Sequence, residues 1–490
     1  DERYFPYVGG ADVDINSYAA EARNKAARAV NDIGWSTVPA DTPPSAFADL
    51  FFDIASDGAR QGWTPNAMQS ACCELVQAAE GPFLLLVEAP TGSGKTEAAL
   101  WSAEIEACRR GAHGLYYALP TQATSNQMLE RLLAFLCGRF PDDRVPLHLL
   151  HGMASMNETF KQLRADGSAH DEGAPVPTNM EQEEGAVVAQ EWFCGRKRGL
   201  LSPFAVGTVD QALLAALTTR HFFVRLFGLA QKSVVIDEVH AYDTYMSTLL
   251  DRLLEWLSAT GTSVILLSAT LPARRRQELV RVYTGRDPEG PEPSYPRAII
   301  GSQQSISGKH IPFEEDRART LSVTPCSDDP GAVADLLADR LTDGGCAAWI
   351  CNTVSGAQEA YRTLRHDDRF AGADLTLFHA RYPIEDRLQR ERAVLHKFGK
   401  NGDRPERAVV VATQVIEQSL DLDFDFMVTD LAPVDLMLQR AGRLHRHPDR
   451  QRPAGLAQPQ VIWQCPGKGE DGVPVFGVSG FIYEPYVLLR

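Results

Sequence analysis

The sequence predicts an α/β protein with two tandem domains, each built on a parallel sheet. Three observations carry that expectation. Short, wholly apolar runs alternate with helical stretches along most of the chain, the pattern of strands covered on both faces. The first strong run, residues 83–87 (FLLLV), ends at a glycine-rich turn, residues 89–96 (APTGSGKT), and is followed by a helical stretch at 95–108. A second series of runs starts at residue 347 and has no glycine-rich turn of its own.

The elements follow in order. At 490 residues the chain exceeds what one hydrophobic core usually supports. Residues 1–45 read as an N-terminal extension with one alanine-rich helix at 19–30, and PADTPPSAF at 39–47 reads as a linker. The first domain, 46–300, takes its strands from 83–87, 114–118 (GLYYA), 233–236 (SVVI) and 263–267 (SVILL). Between 151 and 191 the pattern lapses, with eight acidic residues against two basic ones, Lys161 and Arg164, which marks a long surface insertion. Residues 287–312, opening DPEGPEPSYP, read as the connection between domains, with the linker proper at 301–314. The second domain, 315–468, takes strands from 347–351 (AAWIC), 375–378 (LTLF), 408–412 (AVVVA), 426–429 (FMVT) and 460–463 (QVIW), and 469–490 opens a further linker.

Composition narrows the class. Apolar content of 44% and charged content of 23% are ordinary globular values, and no apolar run reaches the ~20 residues that span a bilayer. No membrane role is expected. The opening DERYFPYVGG carries neither a basic, apolar leader nor a transit-peptide composition, so the cytoplasm is the expected location. Nine cysteines without zinc-ligand spacing read as reduced, mostly buried thiols. A net charge of −16 argues against a general polyanion sink, so any nucleic-acid contact is expected to be local, through backbone N–H groups, hydroxyls and a few arginines.

Four blocks carry the chemistry. In APTGSGKT, Gly92 and Gly94 let the backbone curl so that N–H groups around Ser93 face a phosphate at the positive end of the next helix. Lys95 adds charge between β- and γ-phosphates, and the Thr96 hydroxyl is placed for Mg²⁺. Asp237 and Glu238 follow directly on SVVI, at the carboxyl end of a strand, where Asp237 would hold Mg²⁺ and Glu238 would orient the attacking water. His240 could hydrogen-bond toward Ser268 or Thr270 and couple nucleotide state to a bound strand. A structural histidine, and capping hydroxyls before the Pro272 turn, are the bland alternatives. In QRAGRLHR, Arg443 and Arg446 are three apart, on one face if the segment is helical, and could neutralise charge on a transferring phosphoryl group, with Gln439 positioning the site. A solvated basic helix face is the alternative.

Two loops in each half suit phosphate contact without base reading: Pro120, Thr121 and Gln122, then Gly207 and Thr208, in the first, and Asn352 and Thr353, then Thr413 and Gln414, in the second. Gln69, upstream of the glycine-rich turn, could read adenine, an exposed helical glutamine being the alternative. Residues 196–198 (RKR) are a possible strand entry or a solvated charge run. Together the blocks fit two RecA-like domains closing on one ATP, the core of superfamily 2 helicases.

The series EAPTGSGKTEAAL, ALPTQATSNQM, VGTVDQALLAAL, VVIDEVHAYDTYM, LLSATLP and ATQVIEQSLDLDFDFMVTDLAPVDLMLQRAGRLHRH resembles the helicase part of the CRISPR-associated helicase-nuclease of type I interference systems, from Tyr4 to Arg490. The resemblance is most specific in DEVHAYD and QSLDLDFD, and Ser419 stands where many superfamily 2 helicases have Gly. It implies ATP-dependent 3′ to 5′ movement on single-stranded DNA in antiviral defence, by a monomer. Recruitment would be by an RNA-guided surveillance complex of the Cascade type, and the strand would pass to an HD nuclease domain in the same longer protein or in a separate subunit. It also places Asp421 near the ribose or the closing cleft. The family's nuclease ligand set has no match here, since His170-Asp171 and His366-Asp367 are isolated dipeptides. The chain is therefore expected to be the motor portion of a longer protein. An RNA helicase and an ATP-gated strand clamp without translocation remain the competing readings.

Overall fold

The computed structural model describes residues 14–32, 43–54, 59–111, 114–141, 143, 145–171, 187–189, 191–194, 198–217, 219–230, 232–312, 320–400, 402–417, 421–447, 449–467, 469, 474–477 and 479–488. The chain opening, residues 172–186 of the acidic stretch, Arg196 and Lys197, residues 313 and 314 of the linker, and Ser419 lie outside the described residues. The chain divides into two compact units, Asp1–Phe313 and Glu314–Arg490.

The strands of the first unit are β1 (Phe52–Ile54), β2 (Arg60–Gly62), β3 (Leu84–Glu88), β4 (Leu115–Leu119), β5 (Val145–Leu150), β6 (Val187–Val188), β7 (Phe204–Thr208), β8 (Ser233–Ile236), β9 (Ser263–Ser268), β10 (Arg297–Gly301) and β11 (Ile306–His310). β1 and β2 form a small hairpin, and the rest make one sheet in the order β11-β10-β3-β9-β8-β4-β7-β5-β6. From β3 to β6 every pairing is parallel.

The apolar runs read from sequence are continuous because both faces are covered. Leu85 and Val87 face a core closed by the helices Ala67–Ala78, Lys95–Arg110 and Gln122–Arg139. Leu84 and Leu86 point the other way, against Val209–Leu213, Thr244–Ala259 and Ala273–Thr284. Each of these four β3 side chains is fully buried, worth ~1.5–3 kcal/mol apiece relative to exposure.

In the second unit, β12 (Ser322–Ser327), β13 (Gly345–Ile350), β14 (Asp374–Phe378), β15 (Arg407–Ala412), β16 (Phe426–Asp430) and β17 (Gln460–Cys465) form a sheet in the order β12-β17-β16-β13-β15-β14, parallel throughout. Ala347 and Trp349 pack under Pro330–Arg340 and Val354–Arg365, and Ala348 and Ile350 under Ile384–Phe398.

Several expectations change. The stretch at 287–312 is no bare link, because β10 pairs antiparallel with β3 and β11 pairs antiparallel with β10, extending the first sheet. Ala298, Ile299 and Ile300 supply the apolar strand, and the prolines before it masked the run. Residues 151–191 are not all irregular, since Glu158–Asp171 is helical and buries Phe160 and Leu163. Gly207 and Thr208 are the last two residues of β7 rather than a loop; both pair with β4, and Gly207 also pairs with β5. All nine cysteines are free thiols, of which four are buried and two, Cys137 and Cys465, are exposed. No helix among the described residues is long and apolar enough to cross a membrane.

Candidate functional site

The carboxyl ends of β3, β8 and β9 bring the first-unit blocks together. Gly92 (φ 82°) and Gly94 (φ 86°) adopt left-handed backbone, which a side chain would strain. A Cβ at Gly92 would meet nothing within 4 Å, so there is open space beside the turn at this position. Lys95 begins the helix Lys95–Arg110, and its Nζ donates to the carbonyls of Ala89 at 2.9 Å and Pro90 at 3.1 Å. Ser93 closes the turn by donating to Pro90 O at 2.7 Å.

Gln69 is buried, which removes the reading of an exposed helical glutamine. Its Nε2 donates to Gly94 O at 3.3 Å, and its Oε1 accepts from Asn66 N at 2.8 Å in a capping box. Asn66, which the sequence reading passed over, donates from Nδ2 to Ser93 O at 2.9 Å. Gln69 and Asn66 therefore brace the phosphate loop from the preceding helix.

Asp237 accepts from the Tyr117 hydroxyl at 2.9 Å and from the Glu238 N–H at 2.8 Å. Burial first, then the neighbouring Glu238 charge, pushes its carboxyl up to about 6, while Lys95 pulls the other way. The Tyr117 phenol, buried beside this carboxylate, is pushed well above its ordinary range, by burial first and then by the Asp237 charge. Glu238 sits in left-handed backbone at φ 52°, a strained conformation for a residue with a Cβ. Its Oε2 is buried without a hydrogen-bond partner and lies 3.5 Å from His240 Nδ1.

His240 reaches Ser268 Oγ at 3.1 Å, and Ser268 Oγ donates to the Thr270 carbonyl at 3.0 Å. The Thr270 side chain is exposed, so only its backbone joins this chain of contacts. An open glycine turn, a lysine, a threonine hydroxyl and a buried carboxylate with a raised pKa make a donor set that fits a triphosphate with Mg²⁺. Among the described residues no group of three His, Cys, Asp or Glu side chains could hold a metal alone.

The other strand-contact candidates of this unit divide. Pro120 and Thr121 follow β4, and Thr121 caps the helix that starts at Gln122. Thr208 is buried, with its carbonyl accepting from Tyr116 at 2.9 Å. At Gly207 a Cβ would come within 2.5 Å of Leu150 O, so this glycine answers to sheet packing.

In the second unit the helix Val434–Ala441 stops before Arg443, which corrects the expectation that Arg443 and Arg446 share a helix face. The chain turns away because Phe424 N–H pairs with Arg443 O at 2.8 Å and His445 N–H with Phe424 O at 3.0 Å. Arg443 is buried and donates to Glu417 O at 2.8 Å, while Arg446 makes an ion pair with Asp421 at 2.6 Å. Glu417 thus holds Arg443 and Asp421 holds Arg446. Gln439 lies half-buried on that helix.

Arg440, missed in the sequence reading, is fully buried. It donates to Glu417 Oε1 at 2.6 Å, Thr429 Oγ1 at 2.7 Å, Asp430 O at 2.9 Å and Asn352 Oδ1 at 3.1 Å. Burial raises the carboxyls of both Glu417 and Asp430 against the pull of Arg440. Asn352 gives its N–H to Asp430 at 2.7 Å, and Gln414 donates to Asn352 O at 2.8 Å. Asn352 and Gln414 are thus committed to a buried network; Thr413, also buried, pairs its N–H with Phe378 O, and Thr353 caps the helix Val354–Arg365. Nothing local in QRAGR marks the first arginine as buried.

A phosphate loop, an Asp-Glu strand end and a Ser-Ala-Thr strand end on one sheet, with a second RecA-like unit that has no phosphate loop, define a superfamily 2 helicase core. Family models match accordingly: DEAD/DEAH box helicase over residues 66–170, and the C-terminal part of the CRISPR-associated nuclease/helicase Cas3 over residues 343–449. The chain belongs to the Cas3 helicase family. It is 39% identical to the CRISPR-associated endonuclease/helicase Cas3 of Thermus thermophilus, over 100% of this chain and 55% of that protein. A structure of T. fusca Cas3 with AMPPNP superposes with a TM-score of 0.79 at 36% identity, over 98% of this chain and 54% of the other. A chain of a CRISPR RNA-guided surveillance complex in a pre-nicking state matches with a TM-score of 0.65 at 35% identity, over 86% of this chain and 47% of that one. The chain spans about half the length of the curated relatives it matches.

Proposed function

We propose that this chain is an ATP-driven motor that moves 3′ to 5′ along single-stranded DNA in CRISPR interference. On this reading an RNA-guided surveillance complex recruits it and a nuclease domain receives the strand. The observation that carries the motor reading is Glu238. It is held in strained backbone beside the phosphate loop, and its Oε2 lies 3.5 Å from His240 Nδ1, which in turn reaches Ser268. Strain of this kind persists where the surroundings enforce it, and active sites are where it clusters. The AMPPNP held by the T. fusca relative supports ATP as the nucleotide, and the surveillance-complex relative supports that partner.

Bound Mg²⁺-ATP would supply the phosphoryl group. The Gly92–Gly94 turn and Lys95 would hold the phosphates, and Thr96 and Asp237 would hold Mg²⁺. Glu238 orients the water and accepts its proton as the new oxygen–phosphorus bond forms and the bond to ADP breaks. Arg443 and Arg446 would neutralise charge on the transferring group, Gln439 would help position them, and Asp421 would hold Arg446 until it is used. His240, Ser268 and Thr270 pass nucleotide state toward the strand, which Pro120, Thr121, Gln122 and Thr353 meet through hydroxyls, an amide and backbone groups.

The test is steady-state ATP hydrolysis by this chain and by Lys95→Ala, without nucleic acid and with single-stranded DNA, single-stranded RNA or duplex DNA. Stimulation by single-stranded DNA that vanishes in the variant is expected. A preference for RNA would make the chain an RNA helicase, and turnover indifferent to nucleic acid would favour a strand clamp.

A further inference from the structure

Glu88 ends β3, immediately before the phosphate loop, and is only 2% exposed. No nucleotide or strand role above uses it. Its Oε1 accepts the Leu271 N–H at 2.7 Å, and its Oε2 accepts from Arg276 Nη1 at 2.8 Å. The same Arg276 nitrogen donates to the Leu271 carbonyl at 2.9 Å. One ion pair therefore grips both backbone polar groups of Leu271, in the turn that follows Ser268. Arg276, on the helix Ala273–Thr284, is itself buried, and Glu292 and Arg297 complete a charge-balanced cluster.

Such a pair is weak evidence for stability, because taking two charges out of water offsets their attraction. What it fixes is position. The backbone that leaves Glu88 enters Ala89 and Pro90, whose carbonyls hold Lys95. Ala89 N–H also reaches Ser268 O at 3.2 Å. On the other side, the gripped Leu271 follows Thr270, whose carbonyl takes the Ser268 hydroxyl, and Ser268 meets His240. A shift of the phosphate loop that moves the end of β3 must therefore move the Ser268–Leu271 turn with it.

We infer that the Glu88–Arg276 pair is a positioning device that couples the phosphate loop to the Ser268–Leu271 turn and so to the response of turnover to a bound strand. The inference rests on the reading of the nucleotide site given above. Neither residue touches the reacting atoms.

The experiment compares the 490-residue chain with Glu88→Gln, Arg276→Lys and Ser268→Ala. It reads the affinity of a fluorescent ATP analogue, ATP turnover with and without saturating single-stranded DNA, and thermal unfolding. Glu88→Gln keeps an acceptor for Leu271 but loses the charge that holds Arg276. The expected result is a loss of DNA-stimulated kcat of about 10- to 100-fold, with nucleotide affinity held to within about twofold. Arg276→Lys keeps the charge but not the fork, and should fall between Glu88→Gln and wild type. Unchanged stimulated turnover with only a lower unfolding temperature would overturn the inference, as would nucleotide affinity falling in step with turnover. If Glu88→Gln does not fold, Arg276→Lys decides by the same readouts. Ser268→Ala separates the two ideas: unaltered stimulation in that variant sinks the coupling reading, whereas loss there with none in Glu88→Gln sinks only the role of the pair.

Discussion

The Tyr117 hydroxyl donates to the Asp237 carboxylate at 2.9 Å, in a buried setting that lifts that carboxyl up to about 6. Tyr117 favours the ionised form, while burial and Glu238 oppose it. Protons and Mg²⁺ then compete for one group. Apparent Mg²⁺ affinity in ATP turnover should weaken as pH falls through about 6, approaching about tenfold per unit. Tyr117→Phe should move the midpoint to higher pH. A midpoint that stays in place in Tyr117→Phe would remove the phenol from this role.

The same group has a stability consequence. Its folded pKa lies above the ordinary 3.8, so between 3.8 and about 6 the folded chain binds more protons than the unfolded one. Stability from this group therefore falls as pH rises through that window. Asp237→Asn should be more stable than wild type at pH ~7, by on the order of 1–3 kcal/mol, and the gain should shrink toward pH ~4. Urea titrations at the two pH values measure it.

Lys95→Ala and Glu238→Gln should fail differently. Without Lys95 nucleotide binding or turnover is lost. Glu238→Gln should bind ATP normally and turn it over about 10²- to 10⁴-fold more slowly. Equal turnover by Glu238→Gln and wild type would take Glu238 out of the water-orienting role.

Arg446 and Arg440 lie in one motif but should separate by assay. Arg446→Ala should lower kcat by up to ~10³ or more with little change in nucleotide affinity, and an affinity defect alone would count against it as a transition-state group. Arg440→Met leaves Glu417 buried without its partner and should destabilise the chain by ~3–5 kcal/mol. The double variant Arg440→Met with Glu417→Leu should recover part of that loss in chemical denaturation.

Gly207→Ala tests the sheet against the strand-contact reading. A Cβ there would approach Leu150 O at 2.5 Å and the Tyr116 hydroxyl at 2.8 Å, for a cost of ~1–3 kcal/mol. Loss of DNA stimulation at full stability would restore Gly207 to the strand path.

The sequence by itself determined the parts whose chemistry is written in contiguous backbone. A strand ending at APTGSGKT forces the open turn around Gly92, and SVVI ending at Asp237 puts two carboxylates at a strand end, because hydrogen bonding along one strand fixes where its last residues point. Apolar runs also gave β4, β9 and β13 to within a residue or two at their ends.

Only the tertiary structure decided what each polar side chain faces. Leu271 meets Glu88 from 183 residues away, and Arg440 meets Asn352 from 88. The antiparallel edge at β10, the close approach at Gly207 and the end of the helix before Arg443 likewise depend on distant strands. The physical reason is that a polar group's role follows from which partner replaces its water, and packing makes that choice.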